Sequence, residues 1–559
     1  MVNPSPEPQN DARRAARINW SLTGVAVVVA AVLAFVGLGN DRFWDDEANT
    51  ALFARNLIAT GELNGWDGTN LVGFRGSAEL DENLVNVYMP PLQYYVAAAG
   101  FVLFGDGTIG GRIPFVLIGL LGLVVVAVLA RNLLGDRFPW WVPAALLAVS
   151  PAYLLYIRNC RYYALGALFA MALLAAFTAR IDTRSRTLAA VAIAVAATAA
   201  LMLTNYFYAA GALIALPALF LFARFRTARR AIVLGAAYAT GALLAIWVVT
   251  AMNPFGSDVL REDATPAVER LFTLLGWHLA GVGTFEFFPV LLVLVLLAPF
   301  CGARLFEQRP LALIGLKLLV VGLAMVTVTV AFSPQPVSKS LVADMRYLVP
   351  LIALGAIPSA TALVLVWRSF KPVALAIAAL VIFSNILHLG FLGGFNGFLE
   401  PRGVTCTLCL YARETTIGNR TTVAESVINH IENLPRDAEL FVHPGYMSYP
   451  AMYYLPDREF CCQIDEQHPL RDDLREALPS RVYWERAAPV HGLINDKPPP
   501  TNTGPLTIMG HRLGNYSIVG VIDMPSKDCS RPEIPWHAFA NDEIERSPHF
   551  PYLIVELSR

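Results

Sequence analysis

The chain has 559 residues, 56% of them hydrophobic and only 15% charged, with a mean hydropathy of +0.51. A soluble domain carries about 25% charged residues, so an ordinary soluble globular class is excluded. The formal net charge of -1 argues neither for nor against a nucleic-acid partner. None is expected of a chain whose character is set by membrane burial.

The apolar residues fall in blocks of about 17–24 residues, the length needed to cross a hydrocarbon core. A polar tail, 1–20, carries Arg13, Arg14 and Arg17 and precedes the first block. That block, 21–38, ends in GLGNDRFWDDE with no small-residue cleavage site, so it reads as a retained span and not as a signal peptide. Further spans are predicted near 113–131, 139–157, 163–179, 187–203, 206–223, 231–251, 287–303, 311–332, 347–366 and 372–394.

A further apolar stretch, 91–104, decides the orientation of everything after it. If it lies in the interface, the loops holding Arg131 and Arg137, Arg180 to Arg186, Arg224 to Arg230, Arg304 and Arg309, and Arg368 and Lys371 all fall on the side of the N-terminal arginines. If it crosses, they all fall opposite. Basic loops stay cytoplasmic, so 91–104 is read as an interfacial helix and the N-terminus as cytoplasmic. Segment 252–286 is expected to hold a short interfacial helix.

Beyond residue 395 no run is long enough to span. ESVINHIENL and LREAL have helical spacing, DAELFVH and SIVGVIDM read as strands, and PPPTNTGP reads as a loop. The expected fold is therefore an all-α polytopic membrane protein of about 11 transmembrane helices plus interfacial helices, with a small extracytoplasmic α/β domain. The expected divisions are the tail 1–20, a membrane domain 21–395 with an acidic loop 39–112, and a C-terminal domain 396–559.

Seven cysteines are few for this length. Cys406 and Cys409 form a CxxC, but no second CxxC and no histidine at ligand spacing accompanies it. A disulfide in an oxidising compartment fits better than zinc. Cys461, Cys462 and Cys529 complete the set after residue 400, and their number leaves one odd. Asn419-Arg420-Thr421 and Asn515-Tyr516-Ser517 match a glycosylation acceptor pattern that also arises by chance. His278 and His388 stand alone on apolar stretches and read as packed residues.

Four elements can carry chemistry. Asp45-Asp46-Glu47 follow the first span, at the start of a helix. The bland reading is acids that complement a helix dipole. Tyr88-Met89-Pro90-Pro91 precede the interfacial stretch, where prolines fix the chain and tyrosines suit the headgroup level. Arg158 and Arg161, with Tyr162 beside them, lie at an outer span end against the orientation rule. They suit a phosphate, or ordinary lipid headgroups. Ser338-Lys339 and Asp344-Met345-Arg346-Tyr347 start a late span, and Asp344 can simply neutralise Arg346.

As an ordered set, the acidic pair, the Pro-Pro-Leu element, Arg112-Ile113-Pro114, the Ser-Pro before an Arg-rich turn and the late Arg346-Tyr347 resemble the GT-C membrane glycosyltransferases. The nearest branch is that of protein O-mannosyltransferases and lipid A aminoarabinose transferases. The resemblance covers about residues 20–395. It implies a sugar donor carried on polyprenyl phosphate, and a lipid, glycan or protein acceptor on the extracytoplasmic face of a bacterial inner membrane. It implies no cofactor and no metal, although adjacent carboxylates are able to bind a divalent cation.

The resemblance makes Asp46 the general base, Glu47 its neighbour and Asp45 an extra acid that leaves the base open. It makes Arg158, Arg161 and Arg346 the donor-phosphate contacts. Relatives carry a Lys before Pro-Pro, where this chain has Met89, so that contact is either absent or supplied by another group such as Lys339. Tyr88, Pro90, Pro91 and Tyr162 complete the expected substrate loop. A transporter or flippase of a lipid-linked substrate is the alternative. It is less well matched, since no internal repeat is visible and the charges gather at the outer edge.

Overall fold

The computed structural model describes residues 7–73, 76–252, 265–285, 289–301, 303–333, 337, 345–387, 406–416, 422–487, 489–495, 503–508, 511–522 and 552–558. Lys339, Ser338, Asp344, His388, Cys529 and the Asn419–Thr421 motif lie outside them.

The N-terminal two thirds are helical. Among the described residues, six helical segments are long and apolar enough to cross a bilayer: Arg13–Phe35, Thr108–Leu134, Arg184–Met202, Ala228–Val248, Phe306–Ala331 and Met345–Ser369. Residues such as Val28, Leu103 and Leu243 expose more than half of their surface, as side chains facing lipid would. The chain is an integral membrane protein. Predicted spans 163–179, 206–223, 287–303 and 372–394 appear as the shorter helices Tyr163–Thr178, Tyr206–Ala218, Pro289–Cys301 and Lys371–Phe383.

The predicted span 139–157 is corrected. It is two short helices, Trp141–Ala148 and Pro151–Ile157. The break is chemical. Pro151 lacks an N–H and sits in the first turn of the second helix, while the Ser150 hydroxyl accepts from Tyr153 N. The predicted interfacial stretch forms the helix Leu92–Phe104. Its 13 residues rise about 20 Å, short of a hydrocarbon core of about 30 Å. The segment 252–286 holds a longer helix than expected, Ala267–Phe285, in which His278 is packed against Leu274 O.

We label α1 Glu7–Phe35, α2 Asp45–Thr60, α3 Leu92–Phe104 and α4 Thr108–Leu134. At the centre, α4 packs against Tyr163–Thr178, and Val349–Ser369 packs against both Arg309–Ala331 and Tyr163–Thr178. One end of this bundle is basic: Arg131 and Arg180 both pair with Asp136, at 2.6 and 2.8 Å, and Arg229 donates to the Asp182 carbonyl. The other end carries α2, α3 and the C-terminal region.

The C-terminal region contains a five-stranded sheet, β1 Leu440–His443, β2 His491–Asn495, β3 Thr503–Ile508, β4 His511–Ile522 and β5 Tyr552–Ser558, in the order β1-β2-β5-β4-β3. β1 and β2 are parallel and the other pairs antiparallel. Thr503-Gly504-Pro505, expected in a loop, instead opens β3. Proline is tolerated there because β3 is the edge strand. The predicted helices appear as Val423–Glu432 and Asp472–Ala477. Cys406 and Cys409 form a disulfide, while Cys160, Cys301, Cys461 and Cys462 are free thiols.

This region is bonded to the loop that follows α2. Asn70, fully buried, donates to Arg458 O at 2.8 Å and accepts from Phe460 N at 2.9 Å, and Ser77 Oγ donates to Gln463 O at 2.8 Å. Asn70→Ala strands a buried donor and a buried acceptor, each costing about 1–3 kcal/mol. The expected result is a lower melting midpoint and faster hydrogen exchange at residues 458–464. Exchange equal to that of the unaltered protein would show that Asn70 does not hold the two parts together.

Candidate active site

Three acids fill the first turn of α2, with Trp44 before them and Gly61 ending the helix at φ 82°. Consecutive helical residues point about 100° apart, so the three carboxylates meet three environments.

Glu47 turns inward and is fully buried. Arg112 Nε and Nη2 donate to its two oxygens at 2.9 and 2.6 Å, and the Cys160 backbone N–H adds a third bond at 2.7 Å. Arg112 also donates to Leu38 O, Asp41 O and Arg42 O at 2.8, 3.0 and 3.3 Å. One bidentate pair thus ties α4 to the α1–α2 connection and to the 158–162 turn. Both Glu47 oxygens are taken up by these bonds. Asp45 is buried too, and its Oδ1 accepts from Asp46 N at 2.8 Å.

Asp46 points the other way, with 27% of its side chain exposed. Arg346 Nη1 lies 2.8 Å from its Oδ2, and Arg161 Nη2 lies 3.4 Å from its Oδ1. Arg161 is further fixed by bonds to Asp46 O at 3.1 Å and Thr50 Oγ1 at 2.9 Å. Its side chain is 7% exposed, whereas that of Arg346 is 26% exposed. The arrangement is one carboxylate between a locked guanidinium and an accessible one.

Aromatic packing sets the position of Arg346. The Tyr208 hydroxyl donates to the Arg346 carbonyl. The Tyr162 ring meets Tyr208 edge-on at 5.7 Å, and Arg161 lies over Tyr162 at 5.5 Å. Gly166 makes room for this, since a Cβ there would come within 2.1 Å of the Tyr208 ring. Tyr208 and Thr50 were not singled out in the sequence, where no local pattern marks them.

Arg158 is not brought to Asp46. Its guanidinium donates to Leu33 O, Val36 O and Gly37 O at 3.2, 2.8 and 2.9 Å, and to Tyr411 Oη at 3.4 Å. It satisfies the carbonyls that the end of α1 leaves open. Trp44 Nε1 donates to the neighbouring Asn159 Oδ1 at 2.6 Å.

The Tyr88–Pro91 loop is shaped by Asn86, whose Oδ1 accepts from Tyr88 N and Met89 N. Pro90 is buried, Pro91 precedes α3, and Leu92 N donates to Leu203 O at 2.9 Å.

The C-terminal region also reaches the acidic helix. Tyr454 Oη accepts from Phe43 N at 2.8 Å, and Tyr453 Oη donates to Asp106 Oδ1 at 2.7 Å. Burial pushes the Tyr449 phenol well above its usual range, and the nearby Glu79, Tyr94, Asp46 and Asp45 add to the effect. The tyrosine-rich YPAMYY was the one visible signal of this contact.

No family model and no curated protein sequence matches the chain. Among solved structures it resembles apo ArnT from Cupriavidus metallidurans, at 17% identity over 89% of this chain and 97% of that one, with a TM-score of 0.50. The chain shares the fold of that structure. ArnT bound to undecaprenyl phosphate gives a TM-score of 0.49 at 17% identity, covering 87% and 96% of the two chains. The Archaeoglobus fulgidus oligosaccharyltransferase with zinc and sulfate gives 0.46 at 13%, covering 85% and 68%.

The geometry separates two neighbouring acids. Glu47→Ala leaves Arg112 buried and unpaired, a change that costs about 3–5 kcal/mol and should sharply lower the melting midpoint in detergent. Asp46→Asn should alter stability by no more than about 1 kcal/mol, as for partly exposed ion pairs. Equal destabilisation by both would contradict this division of roles.

Proposed function

We propose that the chain is a membrane glycosyltransferase. It transfers a sugar from a polyprenyl-phosphate-linked donor to a lipid, glycan or protein acceptor of the cell envelope, on the extracytoplasmic face. The observation that carries this reading is Asp46 held between Arg161 and Arg346, at 3.4 and 2.8 Å.

The chemistry follows from that triad. The acceptor oxygen attacks the anomeric carbon as the bond from that carbon to the phosphate oxygen breaks. The electron pair leaves with the phosphate, and the acceptor proton passes to Asp46. A phosphate leaving group needs its developing charge stabilised more than it needs a strong acid, and fixed guanidiniums supply that. Arg161, locked by Thr50 and the Asp46 carbonyl, stays in place. Arg346, more exposed, swings its charge from Asp46 Oδ2 to the donor phosphate, which frees that oxygen to act as base. Lys339 is a further candidate contact, and Tyr88, Pro90, Pro91 and Tyr162 would border the substrate.

An apolar cavity of about 310 Å³, lined by Pro151, Ile352, Gly355, Ala362 and Ile377 among others, runs along Val349–Ser369. Arg346 stands just before that helix without lining the cavity, whose apolar walls suit a polyprenyl chain. The basic end of the bundle supports a cytoplasmic N-terminus and an outward acidic site. The same orientation fits the division into a tail 1–20, a membrane domain 21–395 and an extracytoplasmic domain 396–559, and the resemblance alone points to a bacterial inner membrane.

The test uses the full chain in proteoliposomes with polyprenyl-phosphate sugars and envelope acceptors. Asp46→Asn should lower kcat at least about 100-fold with donor binding retained, whereas Arg346→Ala should chiefly weaken donor binding. Unchanged transfer by Asp46→Asn would remove it as the base. Donor translocation without transfer would replace the proposal with a flippase.

A further inference from the structure

Far from Asp46 in sequence, three metal-ligating side chains converge on the C-terminal region. They are Asp465, Glu485 and His511, with one ligand atom of each lying within 4.8 Å of the others. Their approach is built by the backbone. A parallel bridge pairs Ile464 with Tyr483, and Trp484 N donates to Ile464 O at 3.0 Å. That pairing carries Asp465 and Glu485 forward side by side. His511 is the first residue of β4, and its ring stacks on Trp484 with centroids 5.7 Å apart and planes 23° apart.

Each carboxylate has one oxygen held and one turned to the histidine. Gln467 N donates to Asp465 Oδ1 at 2.8 Å, leaving Oδ2 at 3.8 Å from His511 Nε2. Glu466 N donates to Glu485 Oε2 at 3.1 Å, leaving Oε1 at 3.7 Å from His511 Nδ1. Separations of 3.7 and 3.8 Å are too long for hydrogen bonds. One ion takes only one ring nitrogen, so the spacing that bears on a site is the 4.8 Å within which one ligand atom of each side chain lies, which small side-chain rotations close to bonds of about 2.0–2.2 Å. Outer bonds that fix one carboxylate oxygen and aim the other are the support a metal ligand needs. All three side chains are partly exposed, at 39%, 29% and 26%, so an ion has a path in and room for water.

We propose that Asp465, Glu485 and His511 bind a divalent transition-metal ion of the zinc class. The imidazole ligand selects against calcium and magnesium, which take oxygen ligands. The ion joins β4 to the 464–485 segment. That segment is itself bonded to the loop after α2, through Ser77 Oγ to Gln463 O at 2.8 Å and Asp465 N to Gly76 O at 3.4 Å. The ion therefore braces the C-terminal sheet against the loop that borders the acidic helix. It takes no part in the transfer step, so this site stands or falls separately from the proposed glycosyl transfer.

The test uses the full chain in detergent, stripped with chelator and dialysed against Zn²⁺, Ca²⁺ or Mg²⁺, with bound metal measured by elemental analysis. One zinc per chain is expected, with no calcium or magnesium retained. His511→Gln and Asp465→Asn should each weaken zinc binding by more than about 10-fold. No zinc retention, or equal retention by both variants, overturns the proposal. Should either variant fold poorly, Co²⁺ added to the unaltered chain decides the matter. Weak visible bands without a thiolate charge-transfer band fit these ligands, and a thiolate band assigns the ion to the free cysteines and overturns the site.

Discussion

The buried pair of Arg112 and Glu47 is the constraint on which the site depends. It brings together three parts of the chain that no local interaction would align: the connection between α1 and α2, the start of α4 and the turn after Ile157. A charge so deeply buried is tolerable only because every oxygen and most donors are matched, and removing one partner leaves the other uncompensated. With Glu47 held inward, the helix rotation of about 100° per residue turns Asp46 onto a different face, where 27% of its side chain is exposed. The acidic run is therefore two buried residues on either side of one that is partly exposed.

The same logic explains how Arg158 and Arg161 divide. They are three positions apart on a tight turn and look interchangeable in sequence. One end of the turn abuts the end of α1, where open carbonyls need donors. The other abuts the first turn of α2, where Thr50 and the Asp46 carbonyl wait. Which arginine reaches which partner depends on how α1 and α2 dock against the turn, and that information is long-range. The run of acids, the Arg-rich turn and Arg346 were legible because charges at the edge of apolar blocks are conspicuous. Tyr208, which fixes Arg346 through its carbonyl, was not, because a tyrosine near a span end is common and its partner lies 138 residues away.

The membrane part was legible for a related reason. Block length and charge at block ends translate directly into helices, so hydropathy located most of them. It failed where chemistry inside a block overrode length, as at Ser150-Pro151, where a cap and a missing N–H split one apolar run into two short helices. In the C-terminal region alternation identified β4, but the edge position that allows Pro505 inside β3 is a property of strand order and not of the segment. The metal-ligating trio was invisible for the same reason. Asp465, Glu485 and His511 have no ligand-like spacing until the Ile464–Tyr483 bridge and the start of β4 bring them together.

These cases show where the site gets its stiffness and where it keeps freedom. Arg161 is buried and bonded to α2 by two groups, so it cannot leave Asp46 without breaking the turn. Arg346 is held through its backbone by Tyr208 while its side chain stays partly exposed. A guanidinium anchored at the carbonyl and partly exposed at the tip would, in the proposed reaction, exchange a carboxylate for a phosphate with no helix movement. Had the two roles been reversed, with the buried arginine as the exchanging one, each turnover would have stripped Thr50 and the Asp46 carbonyl of a charged donor, at about 1.5–3 kcal/mol per bond. In the proposed reaction the exchange falls to the arginine for which it disrupts least, as the packing of Tyr162, Tyr208 and Gly166 allows.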